Sequence, residues 1–368
     1  MNILDLAAAF PKDKYSTESL MQIFPCELPE GVRQNVLNLG VSERYLLDHV
    51  DSQTAMSETE LVNLCSEACQ KVMEKSALSL RDVGFFVATY DVNPFLSPGL
   101  SQLLTREIGF DCYIKHANIQ GIASTAFSKA LEIAENYLAR NEKDYALVSI
   151  SGVSSCWFQN QVHGLKDVLE ISKINQIKNK EKRQTELRKW IATMEFFLFG
   201  DGVAAAVVSR NGEGLSVEKG VEVTNIRKKD YLAGYAALTA VSEPFKFGFY
   251  SNLGKEIPEL GAEYTALALK KLLGKEAESI TGTARKWAVH TGSEKILNRI
   301  AETHNIAYEK IRESHEVLRD CGNLAGASLP AILEKIVSGG KLSRNDVVLM
   351  VGYGWGFSAA ATLLRYER

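Results

Sequence analysis

Apolar runs of strand length recur along the chain, separated by stretches whose apolar residues fall at helical spacing. The opening MNILDLAAAF reads as a first strand, and FFVAT from Phe85, DYALVSISG at 144–152, KWAVH from Lys286 and DVVLMVGYG at 346–354 read as others. Alternation of this kind predicts an α/β fold. FLFGDGVAAAVVSR (197–210) and GFSAAATLLRY (356–366) read as strands that close two successive halves.

The two halves echo each other. Val87 and Val289, Asp144 and Asp346, and Gly152 and Gly354 each stand 202 residues apart. Between those strands, NIQGIAST (118–125) and NLAGASLP (323–330) share Asn-x-x-Gly ahead of an apolar helix at a separation of 205, which a three-residue loop difference would explain. A repeat this long is not a solenoid unit. It predicts two domains of one topology, 1–212 and 213–368. Residues 156–195 have no counterpart and read as a helical insertion, rich in Lys and Arg between Lys173 and Lys189. That stretch is a solvated face, a lid, or a docking surface for an acidic carrier protein or a second subunit.

Composition narrows the classes. With 368 residues, 46% hydrophobic and 24% charged, and a net charge of −3, nothing provides the basic field that nucleic acid needs. The start lacks a basic leader segment, and no apolar run approaches the roughly 20 residues that span a bilayer. A cytoplasmic protein with reduced thiols is the expectation. The six cysteines (26, 65, 69, 112, 156 and 321) have no disulfide rhythm. Cys65 and Cys69, four apart, read as helix-face thiols rather than metal ligands.

Ligands in α/β folds gather at the carboxyl ends of strands and the amino ends of helices. Three polar residues fall there. Ser124 is in the first turn of the helix after Gly121, His290 ends the strand KWAVH, and Asn323 starts the matching helix of the second half. A nucleophile in a first helical turn gains from the macrodipole. Histidine can move a proton or donate to a carbonyl, and an asparagine amide donates without titrating. Backbone N–H groups at Ser124, Trp355 and Gly356 are candidates for an oxyanion site. Each of the three side chains also has an ordinary structural role open to it: a capping serine, a structural histidine, and a capping asparagine at 323, as at Asn118.

Five stretches together resemble the thiolase-fold condensing enzymes, in their ketoacyl synthase III and type III polyketide (chalcone-synthase-like) groups. They are FLSPGLSQLLTREIGF (95–110), FLFGDGVAAAVV (197–208), WAVHTGSEKIL (287–297), CGNLAGASLPAILEKI (321–336) and GYGWGFSAAATLLR (352–365). The resemblance implies a five-layered αβαβα arrangement of two duplicated halves and a Cys-His-Asn triad. It also implies acyl-CoA or acyl-carrier-protein substrates of fatty acid or polyketide synthesis, no metal or other cofactor, and a homodimer or a heterodimer with a related ketosynthase subunit. His290 and Asn323 match the triad, and Ser124 stands where the family has cysteine. Candidates for the substrate wall are Phe199 and the aromatic stretch VSEPFKFGFY (241–250), around positions 246 and 248, where Lys246 and Gly248 alternate with Phe245, Phe247 and Phe249.

The serine leaves several readings open: an acyltransferase or condensing enzyme using Ser124, or a cysteine enzyme carrying a replacement. Others are a non-acylating subunit, a malonyl-thioester decarboxylase, and a carrier-binding module without activity. Cys112, Cys156 and Cys321 are the alternative thiols.

Overall fold

The computed structural model describes residues 1–47, 58–90, 97–141, 143–238 and 249–368. Thirteen strands occur among them. The first half contributes β1 (Asn2–Ala9), β2 (Lys14–Ser16), β3 (Glu43–Tyr45), β4 (Val83–Tyr90), β5 (Lys115–Gln120), β6 (Tyr145–Gly152) and β7 (Gly202–Ser209). The second contributes β8 (Leu215–Thr224), β9 (Gly234–Leu238), β10 (Phe249–Leu253), β11 (Lys286–Val289), β12 (Val347–Gly354) and β13 (Ser358–Tyr366). Nine form one mixed sheet in the order β11-β12-β13-β8-β1-β7-β6-β4-β5, while β2–β3 and β9–β10 form two small hairpin-like pairs.

The sheet has a seam. β1 and β8 touch only through Asn2–Ser216 and Ile3–Leu215. Outward from it, β1, β7, β6 and β4 on one side are answered by β8, β13, β12 and β11 on the other. On both sides the inner pairs are antiparallel, and the outermost matched pair (β6–β4, β12–β11) is parallel. β5 has no counterpart among the described strands.

Side-chain alternation sorts the molecule into layers. Phe85 and Val87 of β4, Val148 and Ile150 of β6, and Val348 and Met350 of β12 face one central core. The helices Ala126–Leu138 and Ser328–Ser338 fill that core with Phe127, Leu131, Leu329 and Ile332. Phe86 and Ala88 face outward to the helices Glu58–Lys75 and Leu100–Ile108. Leu349 and Val351 face outward to Ile257–Leu273 and Glu294–Thr303. The result is the five-layered thiolase-like arrangement. Strands covered on both faces explain their nearly continuous apolar sequence.

The insertion forms the helices Ser155–Val162, Ile171–Gln176 and Lys180–Leu198. The last buries Ile191 through Leu198, so the element is a core helix for its second half and not a wholly solvated face. Cys65 and Cys69 are fully buried on their helix. Among the described residues no helix is long and apolar enough to cross a membrane.

Candidate active site

The two central helices begin in the same unusual way. Each is preceded by a single 3-10 turn, Ala123–Thr125 and Ala325–Ala327, and each turn opens on an alanine in left-handed backbone, φ 44° at Ala123 and 46° at Ala325. Alanine resists that conformation, so the surroundings impose it. These points stand 202 apart, like the strands. The offset of 205 read from Asn-x-x-Gly is therefore corrected, and Asn118 is not the partner of Asn323. Asn118 lies on β5, where its Oδ1 accepts from the Ser101 N–H at 3.1 Å and caps the Leu100–Ile108 helix.

Each turn is propped by the strand end of the opposite half. A Cβ on Gly152, at the end of β6, would lie 1.9 Å from the Leu324 carbonyl oxygen. A Cβ on Gly354, at the end of β12, would lie 2.8 Å from Ala123 Cβ and 3.0 Å from Ser124 N. Only glycine permits these approaches. We expect Gly354→Ala to lower stability by about 1–3 kcal/mol, the usual cost of overpacking, and to displace Ser124. Urea unfolding checks the first, and loss of thioester turnover in the folded fraction checks the second.

This arrangement brings Ser124 and His290 together. Oγ and Nε2 are 2.9 Å apart, and both residues are buried. His290 follows β11, and its N–H donates to Val351 O at 3.0 Å, continuing the parallel ladder. Burial pushes the imidazole pKa down to about 3, so it is neutral near pH 7. Its Nδ1 is buried with no partner. Among the described residues no carboxylate or carbonyl selects the tautomer, which leaves Nε2 able to accept from Ser124 or to donate to a ligand oxygen.

Asn323 enters the site two residues before its turn. Its Oδ1 accepts from Ala325 N–H at 2.8 Å, which leaves Nδ2, purely a donor, as the working end of the amide. Its backbone is clasped by the end of the insertion: Asn323 N donates to Leu198 O at 2.9 Å, and Gly200 N donates to Asn323 O at 3.2 Å. Phe199 is thereby bridged to Asn323, and its ring stacks on Phe158 at 4.6 Å and meets Trp355 edge-on at 6.5 Å. Thr291 and Ser328 join the histidine turn to the asparagine helix through a buried hydroxyl pair at 2.8 Å.

The glycine-rich turn serves differently from expectation. Gly356 is exposed, and its N–H donates to the Gly234 carbonyl at 3.2 Å, so it is not an oxyanion donor. The ring of Trp355 packs towards Phe199 and Gly234. The residue of this turn that meets Ser124 is Gly354. Of the proposed aromatic wall, Phe245, Lys246, Phe247 and Gly248 lie outside the described residues, as does most of VSEPFKFGFY. Cys321 is pushed up to about 12 by burial, which holds it as an unreactive thiol. Cys112 is exposed on the far side of the Leu100–Ile108 helix from its cap.

Two supporting residues went unnoticed in the sequence. Tyr353 is buried; its hydroxyl donates to His290 O and accepts from Gly292 N–H, both at 3.2 Å, and its ring stands edge-on to the imidazole at 5.1 Å. Gly292 has no room for a Cβ, which would fall 2.2 Å from that hydroxyl. We expect Tyr353→Phe to cost about 1–3 kcal/mol through the unpaired groups it leaves, read as a lowered urea midpoint. Asp201, in FLFGDG, accepts from Leu47 N, Ser154 N and Ser155 N at 3.0–3.1 Å and from the Ser155 hydroxyl. Burial pushes its pKa up while these four donors pull it down. The aspartate pins the chain just beyond Phe199.

Comparison with known proteins bears on the fold that carries this site. Residues 283–366 match the family model 3-Oxoacyl-[acyl-carrier-protein (ACP)] synthase III C terminal. The chain is 22% identical to the 3,5-dihydroxyphenylacetyl-CoA synthase of Amycolatopsis balhimycina, over 98% of this chain and 92% of that one. It is 23% identical to the beta-ketoacyl-[acyl-carrier-protein] synthase III of Sodalis glossinidius (strain morsitans), over 92% and 96%. In fold it matches the crystal structure of 1,3,6,8-tetrahydroxynaphthalene synthase from Streptomyces coelicolor A3(2), with a TM-score of 0.81, 21% identity and complete coverage of both chains. The chain thus has the thiolase-like fold, and it is similar to ketoacyl synthase III and the type III polyketide synthases.

Proposed function

We propose that the chain binds acyl thioesters of coenzyme A or a carrier protein and uses them in a condensing or acyl-transfer reaction centred on Ser124, His290 and Asn323. The observation that carries this reading is the 2.9 Å contact of Ser124 Oγ with His290 Nε2 in a buried site at a helix amino end, with Asn323 just ahead of the matching turn. In the condensing reaction Ser124 Oγ attacks the first thioester, the thiol leaves with a proton, and an acyl ester remains on the serine. His290 Nε2–H and Asn323 Nδ2–H then hold the carbonyl oxygen of a malonyl-type thioester. Loss of CO2 leaves an enolate on that oxygen, its carbon attacks the acyl ester, and the departing Ser124 Oγ takes a proton from solvent by way of His290 to return to the hydroxyl. In the transfer version His290 takes the proton of an acceptor nucleophile instead. The names of the two curated relatives include a CoA thioester and an acyl carrier protein respectively.

A second reading is favoured by the state of His290. A neutral imidazole with no group on Nδ1 is a better donor to an oxyanion than a base for a serine hydroxyl. Decarboxylation of a malonyl thioester, or a non-acylating subunit beside an active ketosynthase, needs only the donor. Pairing with a second copy or a related subunit is part of both readings. The sheet ends on β5, whose outer edge faces no described strand. Following CO2 release from malonyl-CoA and malonyl-carrier protein, with and without an acyl-CoA primer, separates the two. Product that contains the primer supports condensation, and CO2 release indifferent to primer supports decarboxylation. The absence of both product and CO2 release would overturn condensation and decarboxylation alike.

A further inference from the structure

Glu195 is a carboxyl the mechanism above does not use. It sits on the inner face of the Lys180–Leu198 helix with no exposed surface. Its Oε2 accepts from the Ser251 hydroxyl of β10 at 2.5 Å, and its Oε1 has no partner. Burial pushes its pKa up to about 8 against the pull of Ser251, so it is neutral near pH 7. Arg188, two turns earlier, lies over the Tyr250 ring at 4.2 Å and makes no hydrogen bond to the carboxyl. With the Ser251 hydroxyl donating to Oε2, the single O–H of the neutral acid is on Oε1, where it meets no acceptor among the described residues. An unmade buried hydrogen bond is a standing cost that an apolar side chain would remove.

The position of that donor matters. Phe199 N donates to the Glu195 carbonyl at 3.0 Å, so the acid stands one helical turn from the residue bridged to Asn323. One turn is about 5.4 Å. An acyl chain a few carbons long, with its carbonyl held at Asn323, is long enough to cover that rise. Ser251 belongs to the β9–β10 pair, which joins no larger sheet among the described residues.

Granting the acyl-thioester site of the preceding section, we propose that Glu195 is a specificity-determining residue: its unpartnered carboxyl donates a hydrogen bond to a ketone oxygen along the acyl chain. The ligand class it selects is an oxo-acyl thioester over a plain alkanoyl one. Ionisation of the acid removes the donor, so the selection ends as pH rises through about 8.

The test is calorimetric binding of octanoyl-CoA, 4-oxooctanoyl-CoA and 6-oxooctanoyl-CoA to the intact chain, Glu195→Gln and Glu195→Met, at pH 6.5 and pH 9. The unchanged chain should bind one oxo ligand at least about tenfold more tightly than octanoyl-CoA at pH 6.5 and lose the preference at pH 9. Glu195→Gln keeps an N–H donor and should hold the preference at both pH values. Glu195→Met should bind octanoyl-CoA and the oxo ligands alike. Equal binding by the unchanged chain at pH 6.5, or a preference that survives in Glu195→Met, overturns the proposal and leaves the acyl-thioester reading standing. If Glu195→Met does not fold, a preference in Glu195→Gln that falls with pH as in the unchanged chain overturns it equally. Binding of no acyl-CoA by the unchanged chain overturns the acyl-thioester reading, and this proposal with it.

Discussion

Ser124→Cys should gain an acyl adduct from acyl-CoA at least about 100-fold faster than the serine form at pH 7.5, and Ser124→Ala should gain none. The argument starts from acidity. A free thiol has a pKa near 8.5, and a helix amino end lowers it into the range where thiolate is abundant. Residue 124 is at such an end, ahead of the Ala126–Leu138 helix. A serine hydroxyl gains little from the same dipole because it must lose its proton during attack. The base available is His290, 2.9 Å away, held neutral with a pKa pushed down to about 3 and with no carboxylate behind it. Intact-protein mass spectrometry over a panel of acyl-CoAs and acyl-carrier proteins reads the outcome. An adduct on the serine form at a rate close to that of cysteine would show that Ser124 is a competent nucleophile and that His290 is a stronger base in the complex. No adduct on either form would remove acyl-enzyme chemistry and leave the decarboxylase and subunit readings.

His290→Ala and Asn323→Ala should each reduce malonyl-thioester decarboxylation by about 10²–10³-fold, the usual consequence of losing one preorganised donor to an oxyanion. Each removes a donor aimed at the same developing charge, so the double variant should fall short of the product of the two losses. The pH profile adds an independent reading. A histidine with its pKa near 3 does not gain a proton between pH 8 and pH 5, so His290 should contribute no acid limb to kcat/KM in that window. An acid limb near pH 6.5 that disappears in His290→Gln would contradict this. Stability carries the same signature. The unfolded chain binds the proton first, so the neutral, buried ring contributes stability that is complete above pH 6.5 and declines as pH falls towards 3. His290→Gln should flatten that part of the acid unfolding curve.

Much of the fold is legible because double-sided burial writes itself as apolar runs. β4, β6, β7, β11, β12 and β13 each stand where those runs predict a strand, and β1 opens the chain as read. His290 and Asn323 are legible because strand ends and helix starts are marked by where apolar runs stop and begin. The error in the offset is instructive. Asn-x-x-Gly matches by letters at 205, while the backbone repeats at 202, because the turns at Ala123 and Ala325 are held in left-handed geometry by Gly354 and Gly152 from other parts of the chain. No residue type announces that. Tyr353 and Asp201 escape notice for a similar reason: their value lies in backbone groups they reach across the fold. Gly356 is over-read, since a glycine-rich turn promises free N–H groups but cannot say which of them the fold has already used.

The reciprocal propping of the two turns makes the centre a gauge of how the halves are seated. β12 holds the serine turn while β6 holds the asparagine turn, so neither turn is positioned by its own half alone. Sliding one half against the other does not merely widen a cleft. It withdraws the support of both turns at once, letting Ala123 and Ala325 relax from the backbone that aims their neighbours. Alignment of Ser124, His290 and Asn323 is in this sense collective: it exists only while the whole interface is in register, and is lost together rather than residue by residue.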